Sequence, residues 1–291
     1  MTLVLLATFS LCPDGEFGGE VLVPALEARG LDARWEIWDD PAVDWSAADA
    51  VAVRSTWDYH RRLPEFLEWA HAVEKQTTLL NGAEMFAWNA DKAYLADLGE
   101  FPVVPTELLD DSILVAGLQA AVDRYGEVVI KPRTGAGGVG VVVASSVRDF
   151  RLEGLTAGPW IVQPLVPSVR TEGEFSVYVF DGGAVSQVDK LPAGEEIRVH
   201  ELYGGGSQPG WLTAESARLA EMAVEYAGDR FGSVPSYARV DMMRFEGALA
   251  VSELELIEPG LYLDVMPANA DPFAETVKAA LTRSSSARVR S

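Results

Sequence analysis

Val128-Val129-Ile130-Lys131-Pro132-Arg133-Thr134-Gly135-Ala136-Gly137-Gly138-Val139-Gly140-Val141-Val142-Val143 decides how the rest of the chain is read. A lysine closes one β-rich run, a glycine-rich turn follows, and a second β-branched run begins at once. Gly135, Gly137 and Gly140 satisfy the spacing G-x-G-x-x-G. In a dinucleotide fold that loop opens a helix whose N-terminus meets the pyrophosphate. Here it opens Val141-Val142-Val143-Ala144, a strand by composition. A P-loop is excluded too, because no Gly-Lys-Ser/Thr follows. What remains is a glycine hairpin able to lie over phosphates, with Lys131 on the adjoining strand to pair their charge. Glycines suit such a loop because their N–H groups approach oxygens closely, often at positive φ. Taken alone, the stretch reads equally well as an ordinary glycine-rich β-turn.

A second hairpin changes that balance. Tyr237 to Phe245 reads as a strand, Glu246-Gly247 as a turn, and Ala248 to Pro259 as the return strand. Glu253 and Glu255 are two residues apart and share a face. Acidic residues are poor strand formers, so two of them in an apolar run need a reason. Magnesium supplies one, as a hard cation bound by one or two carboxylates plus substrate phosphates. Asp241 joins them only if the register allows. A plain two-residue turn sets Asp241 opposite Ser252, the wrong parity, whereas an odd-length loop or a bulge brings it opposite Glu253. The competing account is a solvent-facing acidic strand, which the nearly all-apolar neighbours disfavour.

Together these elements resemble the ATP-grasp superfamily over about residues 80 to 265. The resemblance implies an α/β (α+β) fold: an N-terminal Rossmann-like open sheet (1–85), a central lid lobe (86–165) and a C-terminal lobe (166–291), the two α+β lobes clasping ATP. It makes Lys92, in Asn89-Ala90-Asp91-Lys92, a first phosphate lysine and Lys131 the second, with Gly135, Gly137, Gly138 and Gly140 over the phosphates. Trp160-Ile161-Val162-Gln163-Pro164-Leu165-Val166 looks like the hinge strand that receives adenine, through Gln163, Leu165 and Val166, with Glu172 beyond it on the nucleotide. Asp241, Glu253 and Glu255 look like ligands of two Mg2+ ions. Many relatives carry Glu-x-Asn where this chain has Glu253-Leu254-Glu255, so the third ligand adds negative charge. Relatives phosphorylate a carboxylate to an acylphosphate that an amine attacks, releasing ADP and phosphate. Positioning and charge neutralisation dominate such transfers. Arg198 and Arg239 would stabilise the transferring phosphoryl and anchor the acceptor carboxylate.

One subgroup is closer. Arg54-Ser55-Thr56-Trp57-Asp58-Tyr59, Leu80-Asn81, Glu172-Gly173-Glu174-Phe175-Ser176, Lys190-Leu191-Pro192, Arg198-Val199-His200 and Glu253 to Pro259 resemble bacterial proteins similar to cycloserine synthetase. That resemblance implies an ADP-forming cyclo-ligase in antibiotic biosynthesis. It would activate the carboxylate of O-ureido-D-serine, and an internal nitrogen would close the ring of D-cycloserine, with loss of carbamoyl as carbon dioxide and ammonia. An intermolecular dipeptide or glutathione-like ligase keeps the same ATP site but needs a second substrate. A non-catalytic ATP-binding module would not need the acidic set.

Composition bounds the remainder. The 291 residues suffice for two or three lobes with real cores, and 48% are hydrophobic. A net charge of −21 disfavours nucleic acid and anionic membranes as partners. A small molecule is the expected partner, and the surface suits a monomer or a homo-oligomer alike. Cys12 is the single cysteine and fits a reducing cytoplasm. Leu3 to Leu11 is too short to span a membrane and lacks a basic leader. Strand patterns at Thr2 to Ser10, Ala33 to Trp38, Ala50 to Arg54 and Thr77 to Leu80 alternate with helical spacing at Gly19 to Arg29 and Leu63 to Val73. On such sheets ligands sit beyond the carboxyl ends of the strands. That places Glu16, Arg54, Ser55, Thr56, Asp58 and Tyr59 as candidate substrate contacts. Ala116 to Tyr125 and Ser216 to Phe231 read as amphipathic helices, and Arg283 to Ser291 as a fraying tail.

Overall fold

The computed structural model describes residues 2–154 and 159–288. Its N-terminal part is a parallel sheet of β1 (Thr2–Thr8), β2 (Leu31–Ile37), β3 (Ala50–Ser55) and β4 (Thr78–Leu79), ordered β2-β1-β3-β4. β3 is buried along its whole length, as a parallel strand covered on both faces must be. α2 (Leu63–Glu74) buries Phe66, Ala70 and Val73 against it, the stripe its spacing anticipates. α1 (Leu22–Glu27) is shorter than the apolar spacing suggests, because Gly19–Val21 tightens into a 3-10 turn.

After α3 (Ala83–Asn89) and α4 (Tyr94–Asp97) comes an antiparallel sheet in the order β5-β8-β6-β7. Its strands are β5 (Glu107–Leu109), β6 (Val128–Pro132), β7 (Val142–Ala144) and β8 (Trp160–Pro164), backed by α5 (Leu114–Tyr125). β6 and β7 pair as a hairpin, Ile130 opposite Val142, so the glycine run is the loop between two strands and opens no helix.

The third sheet is antiparallel and ordered β11-β10-β9-β12-β13. It comprises β9 (Glu174–Phe180), β10 (Gly183–Leu191), β11 (Gly206–Pro209), β12 (Tyr237–Phe245) and β13 (Ala248–Glu255). α6 (Ala214–Phe231) packs on it and starts from a Thr213/Ser216 capping box, worth about 1 kcal/mol. α7 (Ala270–Arg288) has no counterpart in the sequence reading, which expected fraying from Arg283. Its Phe273, Ala274 and Val277 share a core with Val4, Leu6, Leu22 and Leu26, tying the end of the chain to the first sheet.

The β12–β13 hairpin carries the irregularity the metal reading requires. Phe245 pairs with Ala248 across the two-residue turn Glu246-Gly247, whose φ values are 50° and 84°, as a tight hairpin turn demands. Met242 then pairs with Val251, but Asp241 pairs with Glu253. Ser252 is the extra residue of a β-bulge. The bulge puts Asp241, Glu253 and Glu255 on one face, while Leu249, Val251 and Leu254 enter the core with Val240 and Met242.

Candidate active site

A cavity of about 880 Å³ is lined by the second and third sheets and by the loops that follow β1 and β3 of the first, at the upper end of the usual range for small-molecule sites. Lys92, Lys131, Gly135, Gly137, Gly138, Gln163, Leu165, Val166, Arg198, Arg239, Asp241, Glu253 and Glu255 all reach its wall, as do Glu16 and Tyr59.

The loop and the first lysine are locked together. Asp91 accepts from Arg133 Nε at 2.8 Å, and the Lys92 amide donates to Arg133 O at 2.8 Å. Lys92 Nζ donates to Gly135 O at 2.9 Å and pairs with Glu253 at 2.8 Å. Burial disfavours the Lys92 ammonium, but Glu253 outweighs it and holds the pKa above the ordinary lysine value. For Lys131 burial wins and the pKa falls. Among the described residues no carboxylate lies within 4.0 Å of its ammonium. A half-buried cation in that state favours an arriving anion. Gly138 is needed where it stands: a Cβ there would lie 3.2 Å from both Arg198 and Tyr203, and its φ is +71°. Arg198 is stacked 3.5 Å over Tyr203 and held by Glu196 at 2.6 Å, facing the glycine loop.

The acidic set is wired to cations. Arg239 donates to both oxygens of Asp241, at 2.9 and 2.8 Å, and to Glu255. Ser176 also donates to Asp241, and Lys190 lies 3.1 Å from Glu174 and 3.6 Å from Asp241. Burial opposes the charge on Asp241, yet Arg239 and Lys190 hold its pKa well below the usual carboxylate range. β13 is fixed at an edge by Asn89 and Tyr94, which both bond the backbone of Leu254, between the two glutamates. Among the described residues no three acidic, His or Cys side chains form a ready-made metal cage. Three cavity-wall carboxylates without a cage fit magnesium, which is held by one or two carboxylates and completed by phosphates and water.

Burial, with Asp241 and Glu253 adding repulsion, raises Glu255 to about 7. Burial and Glu255 raise Glu258 to about 8. The native state therefore holds protons that the unfolded chain has already released, so stability falls as pH rises through these values. The ligand-free protein should melt several degrees lower at pH 9 than at pH 6, and Glu258→Gln should flatten that slope. An unchanged slope in the variant would refute the assignment.

Several expectations need correction. Arg54 is fully buried and pairs with Glu16 at 3.0 Å. Ser55, the last residue of β3, and Thr56 after it are both buried, Ser55 bonded to Thr8. Asp58 accepts from Trp38 Nε1 and Arg62, both at 2.9 Å. None of the four lines the cavity. The motif turns inward because its strand end meets the third sheet, not solvent. Trp57 and His60 line the cavity from that loop instead, joined by Phe9 and Phe17. Glu172 is on the surface with Arg244 at 3.2 Å, and Gly140 is off the wall. Lys190, Glu174 and Glu258 line the cavity and were missed as site residues. Lys190 is a charged residue on a β-strand, the same anomaly that singled out Glu253.

The chain superposes on the crystal structure of D-cycloserine synthetase DcsG with a TM-score of 0.84, covering 96% of this chain and 99% of that one at 28% identity. It superposes on the ATP-grasp ligase PsnB, complexed with a minimal precursor, Mg and ADP, with a TM-score of 0.64, over 96% and 97% of the two chains. At 18% identity that likeness concerns fold alone. Fold and relatives define an ATP-grasp ligase, an ATP-dependent enzyme that joins a carboxylate to an amine nitrogen. The cycloserine biosynthesis protein DcsG of Streptomyces lavendulae is 30% identical over 273 residues, 88% of this chain and 91% of that protein. The description "D-cycloserine synthetase DcsG, N-terminal domain" matches residues 4–81. The chain belongs to the D-cycloserine synthetase family. Among the described residues no helix is long and apolar enough to cross a membrane.

Proposed function

We propose that this enzyme activates the carboxylate of a small amino-acid-like molecule with magnesium-ATP and closes a ring with a nitrogen of the same molecule. The substrate that family membership favours is O-ureido-D-serine, giving D-cycloserine. The observation that carries the ATP half is the convergence of Lys92, Lys131 and three carboxylates on one cavity wall. Lys92 and Lys131 hold the phosphates under Gly135, Gly137 and Gly138, and Gln163, Leu165 and Val166 receive adenine. Asp241, Glu253 and Glu255 hold magnesium, which neutralises phosphate charge when bound. Tyr59 faces the substrate; Glu16 is on the same cavity wall with both carboxylate oxygens engaged, by Arg54 and by the Leu261 amide.

The carboxylate oxygen attacks the γ-phosphorus and ADP leaves. Arg239 and Arg198 supply cationic charge where the phosphoryl passes. The internal nitrogen then attacks the acyl carbon, phosphate leaves, and the nitrogen gives up its proton. Loss of the carbamoyl group with one water yields carbon dioxide and ammonia. The single cysteine, Cys12, fits this chemistry in the cytoplasm.

The test is ADP release with magnesium-ATP across O-ureido-D-serine, its L-isomer, and single and paired amino acids. ADP with O-ureido-D-serine alone, together with a cyclised product by mass, is the expected result. ADP only with a pair of substrates would make the enzyme an intermolecular ligase and overturn the ring-closing reading.

A further inference from the structure

Arg54 has no exposed surface, yet one of its nitrogens bonds two distant parts of the chain. It sits at the end of β3, where Nη2 donates to Glu16 at 3.0 Å and to Pro259 O at 2.6 Å. Its guanidinium lies 5.3 Å from the Tyr237 ring centre and 5.0 Å from that of Phe273. Glu16 uses its other oxygen to accept the Leu261 amide at 2.5 Å. One arginine and one glutamate thus clasp both sides of Gly260. Gly260 O in turn accepts from Tyr178 OH at 3.2 Å and lies 3.5 Å from Arg239 Nη1. The next residues hold an unusual backbone: Tyr262 has φ +52°. Its ring lies 5.0 Å from Lys190 Nζ and 6.0 Å from Arg239. A non-glycine residue at positive φ persists only where its surroundings over-determine it. The loop bearing Glu16 is pressed on the same segment, since a Cβ on Gly18 would lie 2.3 Å from Asp264 N.

We propose that Arg54 is a positioning residue: through Glu16 and Pro259 it fixes segment 259–262, and with it the Gly260–Tyr262 wall of the cavity beside Arg239, without touching substrate. The inference rests on assigning that end of the cavity to the carboxylate substrate. Nη2 alone makes both long-range bonds, Nη1 reaches only Val53 O at 3.4 Å, and Nε has no partner among the described residues, so what a lysine cannot reproduce is the flat guanidinium packed beside the Tyr237 and Phe273 rings.

The test combines Arg54→Lys and Arg54→Met with Glu16→Gln, which keeps the arginine packed between its rings should an Arg54 variant fail to fold. Hydrogen exchange of peptides spanning 14–19 and 259–266, the affinity for magnesium-ATP, and KM for each substrate are measured. Exchange in both peptides should accelerate tenfold or more, while magnesium-ATP affinity stays within twofold. KM for the carboxylate should rise at least tenfold against an unchanged KM for ATP. Unaltered exchange with lost carboxylate binding would make Arg54 a direct contact. Loosening of the whole protein with loss of ATP binding would make it a core residue only. Either result overturns the proposal. Exchange and ATP affinity need no carboxylate substrate, so they remain decisive even if O-ureido-D-serine proves inert.

Discussion

Glu253→Ala is expected to lower turnover by about 10²- to 10³-fold, the usual effect of deleting one group that stabilises charge in the transition state. The same holds for Lys131→Ala. Glu253 lies opposite Asp241 across the bulge and pairs with Lys92, so its loss removes a carboxylate and leaves half-buried Lys92, among the described residues, with only its bond to Gly135 O. The variant should fold, because Asn89 and Tyr94 hold β13 through backbone groups. Lys131 has a different part. Burial lowers its pKa, so it gains most from a phosphate and its loss should weaken ATP binding directly. ADP release and magnesium titration of both variants provide the check. A fully active Glu253→Ala protein with unchanged magnesium dependence would sink the metal assignment.

Arg239→Met should cost about 3–5 kcal/mol of stability, the penalty for leaving buried carboxylates without their partner. Arg239 is only 8% exposed and serves Asp241, Glu255 and the Gly260 carbonyl. For a protein of this size that loss corresponds to a melting point lower by roughly 10 °C. Glu255→Gln should recover part of it, since Glu255 is already close to protonation at neutral pH. Thermal unfolding of the single and double variants checks both statements. A melting point within about 2 °C of the parent would show that the carboxylates do not depend on this arginine.

Much of this arrangement is legible in the residues. The β-rich runs flanking the glycines exclude a helix after the loop, and the N-terminal alternation of strands and helices is that of the parallel sheet. The pair Glu253 and Glu255 marks the chemistry because carboxylates cost too much on an apolar strand without a role. The sequence required an irregularity in this hairpin and left an odd-length loop and a bulge as alternatives; the strand register makes it a bulge. The fate of Arg54 was not legible. An arginine after a strand looks solvent-facing until the chain returns at Pro259 and Phe273, more than 200 positions later. Lys190 and Glu258 escaped for a related reason: what makes a charged residue a site residue is the company that folding assembles around it. α7 escaped because its core residues, Phe273, Ala274 and Val277 among them, pack against Val4, Leu6, Leu22 and Leu26 at the other end of the chain.

The unpaired Ser252 has an evolutionary consequence. Because neighbouring residues of a strand face opposite ways, one residue gained or lost within the strand between the turn and Glu253 turns both glutamates toward the core unless the turn or the bulge changes with it. Length change in this hairpin therefore keeps the chemistry only where one of these two irregularities absorbs the odd residue, like a reading frame of period two with a built-in correction. Among relatives, an odd gap here would be matched by a different turn length or by a bulge gained or lost.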